Sequence, residues 1–85
     1  MKRIVEVTGE SGFESMLGAQ IQVWCGVYIY AGTLTGVNDD HIELSDASVV
    51  YETGPLSSSE YQDAQPYPGV LRVMLHAIES WGDGR

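Results

Sequence analysis

Lysine and arginine are almost missing from this chain, and their placement matters more than their number. Its 85 residues carry twelve acidic and four basic side chains, for a net charge of −8. The basic residues are Lys2, Arg3, Arg72 and Arg85, so nothing basic lies between Ile4 and Leu71. Phosphate contacts supply most of the affinity of nucleic-acid binders, and this distribution excludes the usual basic patch. An acidic surface instead favours solubility, cations or a basic protein partner. Cysteine is nearly absent as well. The single Cys25 excludes an intrachain disulfide and a structural zinc site, which suits a reducing cytoplasm. Long apolar runs are also lacking. Met1-Lys2-Arg3 has the basic start of an export signal, but Glu6, Thr8, Gly9 and Glu10 follow at once. No uninterrupted apolar segment is long enough for export or for a membrane span, so a soluble chain with no membrane partner is expected.

What is there reads as one small β domain over 1–85, with residues 1–10 as an N-terminal arm or strand. A domain of this size buries only about 60% of its unfolded surface, and oligomerisation is one remedy. Phe13, Met16 and Leu17 recur at helical spacing after Ser11, with Glu14 in the capping-box position and Gly18 as a stop. The spacing predicts a helix of about two turns. From Ala19 the period becomes two. Ile21, Val23 and Cys25 share one face, and Gln20, Gln22 and Trp24 share the other. Gly26 marks a tight turn, and Val27 to Val37 is a second strand that Gly32 and Gly36 bend.

Asn38-Asp39-Asp40 is a turn by its chemistry. His41 to Glu52 is a third strand whose alternation slips near Asp46-Ala47, predicting a bulge. Residues 53–69 hold Gly54-Pro55, three serines, Pro66 and Pro68, and read as a long surface loop. Val70 to Ala77 is a fourth strand, apolar on nearly both faces, which suggests that a partner covers one of them. Ile78 to Trp81 is a short fifth strand, and 82–85 is a tail.

Several of these segments resemble the Sm/Lsm family, which includes the bacterial RNA chaperone Hfq. Leu17, Ile21 and Val23 sit at the opening apolar positions of the family's first motif. Tyr30, Gly32, Leu34 and Val37 follow at its aromatic, glycine, aliphatic and core positions. Ile42-Glu43-Leu44-Ser45-Asp46-Ala47 is similar to its third strand and acidic turn, and His76-Ala77-Ile78 to the heart of its second motif. Asn38 stands where the family has Asp, and Leu75 where Hfq has a lysine. The resemblance implies an all-β, strongly bent five-stranded Sm-like (SH3-like) barrel with a short N-terminal helix. It further implies a cyclic homo-oligomer, in which the fourth strand of one subunit pairs with the fifth of the next. Val70, Leu71, Val73, Met74, Leu75, Ile78 and Trp81 are the interface residues this implies. Asn38, Asp39, Asp40, His41 and His76 would meet near the pore as the site for single-stranded RNA, with no catalysis and no cofactor.

The residues also admit a different partner. Paired carboxylates at Asp39 and Asp40 repel phosphate, so an acidic structural or protein-interaction ring that does not bind RNA, with a basic protein as a candidate partner, is the alternative. Asp39, Asp40, His41 and His76 are ligand types, but no local motif such as two His at i, i+4 assigns a metal. Cys25 reads as buried and inert, and Ser57-Ser58-Ser59 with a distant histidine is loop composition, so no catalytic residue is named. Trp24, Tyr28 and Tyr30 suggest either a stacking platform for single-stranded bases or, equally, a protein interface. Tyr51, Tyr61 and Tyr67 suit a protein-recognition surface, because no cation accompanies them.

Overall fold

The computed structural model describes residues 12–85 as an antiparallel sheet with two 3-10 turns. Its strands are β1 (Gln20–Cys25), β2 (Ile29–Val37), β3 (His41–Glu52), β4 (Asp63–Pro66), β5 (Leu71–Met74) and β6 (Ile78–Asp83). Hydrogen bonding runs β4-β3-β2-β1-β6, and β5 joins β3 off that path, so the sheet stays open. The all-β expectation therefore holds. The arm expected at 1–10 and the Ser11 cap lie outside the described residues.

β3 organises the sheet. His41 to Leu44 pairs with β5, and Ser48 to Glu52 pairs with β4, so two short strands share one long neighbour. Between the two stretches Asp46 takes φ 50, a left-handed conformation that Asp tolerates better than most side chains. This is the slip that the broken alternation predicts. Across from it, β2 shifts register between Ala31 and Thr33 and again between Leu34 and Gly36. Gly32 is required there: a Cβ would lie 3.0 Å from both the Ala47 Cα and the Ser45 carbonyl oxygen. Bulge and glycine face each other, which is how such a sheet bends.

Period-two alternation then fills one face, the inner one. Ile21, Val23, Leu34, Ile42 and Leu44 are wholly buried, and Ala47 and Val73 complete the cluster. Phe13 and Met16 pack against it from the first 3-10 turn. That turn spans only Gly12–Met16, where the spacing predicts a longer α-helix. Two left-handed glycines, Gly12 and Gly18, bracket it, and so short a segment cannot repay α-helix nucleation. Leu17 consequently faces outward.

Three other segments differ from expectation. The 53–69 loop contains β4, which lacks an apolar alternation of its own and is a strand because β3 supplies the ladder. The strand expected at 70–77 stops at Met74 and continues as a 3-10 turn, Leu75–Ala77. β6 runs on to Asp83, so 82–85 is no free tail: the Gly84 N–H donates to the Gln20 carbonyl at 2.8 Å. The β1–β2 turn closes through the Cys25 N–H and the Tyr28 carbonyl at 2.9 Å, without a left-handed Gly26. None of the described helices is long and apolar enough to cross a membrane.

Candidate functional site

The turn between β2 and β3 is held by its own polar groups. The Asn38 N–H donates to the His41 carbonyl at 2.8 Å, which places both side chains at the start of β3. His41 Nδ1–H donates to Asp40 Oδ1 at 2.6 Å, and its Nε2 lies 3.1 Å from Asn38 Nδ2. Glu43 Oε2 sits 3.5 Å from the same Nε2 and 3.7 Å from Arg72 Nε. The hydrogen bond to Asp40 pushes the His41 imidazole above its ordinary range, with Glu43 adding to it against partial desolvation. Reciprocally, the His41 hydrogen bond holds the Asp40 carboxyl below the usual carboxylate range, and the charge of His76 adds a smaller pull.

That last contribution reflects proximity across the fold. The Leu75 N–H donates to the Asp40 carbonyl at 2.9 Å, and His41 stands opposite Met74 in the β3–β5 ladder. The 3-10 turn carrying His76 therefore abuts the 38–41 turn. Asn38, Asp39, Asp40 and His76 are exposed there, and His41 is partly buried. Among the described residues the His76 side chain makes no hydrogen bond. It lies on an exposed turn, not at a hydrogen-bonded strand end. Glu43 and Arg72 also belong to this network and carry no mark in the sequence. Glu43 shares a strand face with His41 by period two, but only the pairing of β3 with β5 sets Arg72 opposite it. No group of three or more His, Cys, Asp or Glu among the described residues is placed to hold a metal ion.

The residues expected at a subunit interface divide. Val73 belongs to the core of the chain itself, because its register opposite Ile42 turns it inward. Leu71, Leu75 and Ile78 pack partly against that core, while Val70, Met74 and Trp81 remain exposed. Trp81 stacks on Phe13 with ring centroids 4.5 Å apart. β5 hydrogen-bonds only to β3, and β6 only to β1, among the described residues. Each leaves one edge unpaired.

The aromatic platform does not form as expected. Trp24 pairs with Ile29 in the β1–β2 ladder, which sets it on the opposite face from Tyr28 and Tyr30. The two tyrosine rings lie 6.2 Å apart. Tyr61 has a cation after all, the Arg85 guanidinium, 4.4 Å from its ring centroid. Cys25 is only partly buried and lines a cavity of about 230 Å³ with Tyr30, Leu71, Met74 and Ala77. Burial, and after it the charge of Glu79, pushes its thiol pKa up, away from the reactive thiolate.

Comparison with protein-family models, curated proteins and solved structures finds no match to this chain.

Proposed function

We propose that this chain is a non-catalytic, Sm-like subunit that assembles head to tail into a homo-oligomeric ring and takes up single-stranded RNA at its 38–41 and 75–77 turns. One observation carries the reading. Among the described residues, consecutive strands β5 and β6 each keep one unpaired edge, and only three residues separate them. Unpaired edges invite pairing with another chain, and two different edges that meet in a closing contact give a ring. Exposed Val70, Met74 and Trp81 lie on or beside those edges. Each subunit would then bring Asn38 and His76 to the same ring position, offering amide and imidazole groups that bond or stack with unpaired bases.

A second reading, an acidic ring that binds a basic protein and no RNA, is favoured by the state of His41. Both of its ring nitrogens are already engaged, by Asp40 and Asn38, and the exposed carboxylates beside it repel phosphate. Native mass spectrometry with uridine-rich and adenine-rich oligonucleotides at moderate salt separates the two. A closed oligomer carrying RNA, bound more tightly after Asp39→Asn and Asp40→Asn, is the expected result. A closed oligomer that ignores both RNAs selects the protein-binding ring, and a monomer overturns the assembly itself.

A further inference from the structure

The outer face of the sheet carries apolar burial that the core does not explain. Ile21 and Val23 turn inward, so Gln22 and Trp24 lie on the other face. Register carries that face across the sheet: Gln22 opposite Ala31, Trp24 opposite Ile29, Ile29 opposite Val50, Val50 opposite Ala64. Ala31 and Val50 are buried all the same, and neither belongs to the core cluster.

Among the described residues, the segment 53–62, which leaves the end of β3 and returns as β4, is tied to Gln22, the residue opposite Ala31. Its ties are polar and few. The Tyr61 hydroxyl donates to Gln22 Oε1 at 3.0 Å, on the outer face of β1. Arg85 Nη1 donates to the carbonyls of Thr53 at 2.8 Å and Glu60 at 3.0 Å, near the two ends of the segment. The same guanidinium lies over the Tyr61 ring. Arg85 is positioned by its neighbour Gly84, where a Cβ would come within 3.0 Å of the β1 backbone.

Other features oppose closure. Glu52 and Asp63 stand opposite each other where the segment joins the sheet, and like charges so paired repel. Among the described residues the Arg85 Nη2 is buried without a hydrogen-bond partner, which lowers the stability of the closed form. Leu56, the segment's one large aliphatic side chain, points into solvent and anchors nothing.

We propose that residues 53–62 are a strap, latched over the outer face by Arg85 and Tyr61, that opens as a local unit while the sheet stays folded. Opening uncovers Gln22, Ala31 and Val50.

Hydrogen exchange read by mass spectrometry on the full chain at pH 7 tests this, with Arg85→Gln and Tyr61→Phe as variants. Arg85→Gln is expected to speed exchange of the amides in 54–62 by about tenfold or more, leaving β1, β2 and the first half of β3 unchanged. Tyr61→Phe keeps the ring under the guanidinium and loses only the Gln22 bond, so its increase is smaller but confined to the same amides. Unaltered protection of the strap in both variants overturns the latch. Acceleration spread equally over β1 to β3 overturns it too, because the segment would then open only with the whole sheet. If Arg85→Gln does not fold, the local latch fails for that residue and Tyr61→Phe decides whether a strap opens at all.

Discussion

On the inner face of the sheet, five aliphatic side chains are wholly removed from water, and no buried polar or charged residue among the described residues interrupts them. On the outer face two modest side chains, Ala31 and Val50, are buried, and the 53–62 segment reaches that face through ties made by a phenol and a guanidinium. The first kind of burial is non-directional and grows with area, at about 25 cal/mol per Å². The second depends on hydrogen bonds that each contribute only about 0.5–1.5 kcal/mol net and only in one geometry. Inner-face burial decides whether the sheet exists. The outer contacts decide what the sheet exposes once it does.

The largest expected effect comes from opening the inner face. Leu44→Ala should lower the unfolding free energy by about 2–5 kcal/mol, because Leu44 is wholly buried where β2, β3 and β5 meet. Chemical denaturation followed by circular dichroism measures it; a loss below about 1 kcal/mol would mean that this face is not the main source of stability. Val50→Ala removes two methyl-sized groups from the outer face and should cost about 1.5 kcal/mol. The contrast sharpens in the strap: Val50→Ala should loosen exchange in 54–62 more than in β1, and Leu44→Ala should loosen both alike.

The same division sets what the sequence reveals. Ile21, Val23, Ile42 and Leu44 announce themselves by period two, and the two glycines of β2 and the broken alternation at Asp46 announce the bends. Those are local signals of burial and backbone freedom. The outer face has none. Asp63-Ala64-Gln65-Pro66 is a strand only because Ser48 to Glu52 offers it a ladder, and Arg85 reaches carbonyls 32 and 25 residues away. A polar latch between distant segments leaves no periodicity to read. The candidate site is intermediate. Turn chemistry marks Asn38 to Asp40, but their approach to His76 rests on a backbone bond from Leu75, and the pairing of Glu43 with Arg72 on strand register.

The smallest expected effect lies at that turn, and it tests whether polar contacts there act as they do under the strap. His41 has its folded pKa raised, first by its bond to Asp40 and then by Glu43. The contribution to stability is therefore fully present below the unfolded value of about 6.5 and is lost as pH rises through the higher folded value. Urea denaturation at several pH values from 5.5 to 8.5 should show stability falling across that window in the wild type. His41→Gln should flatten the decline, and Glu43→Gln should shrink it. A wild-type curve with no slope there would mean that the imidazole gains nothing from its neighbours on folding. The geometry adds a consequence for recognition. In the neutral ring Nδ1–H donates to Asp40 and Nε2 accepts from the Asn38 side-chain amide nitrogen, so Nδ2 rather than Oδ1 of Asn38 faces the ring. Protonation puts a hydrogen on Nε2, directed at Glu43, and two donors then face each other unless the Asn38 amide turns over. Asn38 would then turn Oδ1 in place of Nδ2 toward the ring, so its side-chain NH₂ resonances should titrate with His41 in wild type and stay still in His41→Gln.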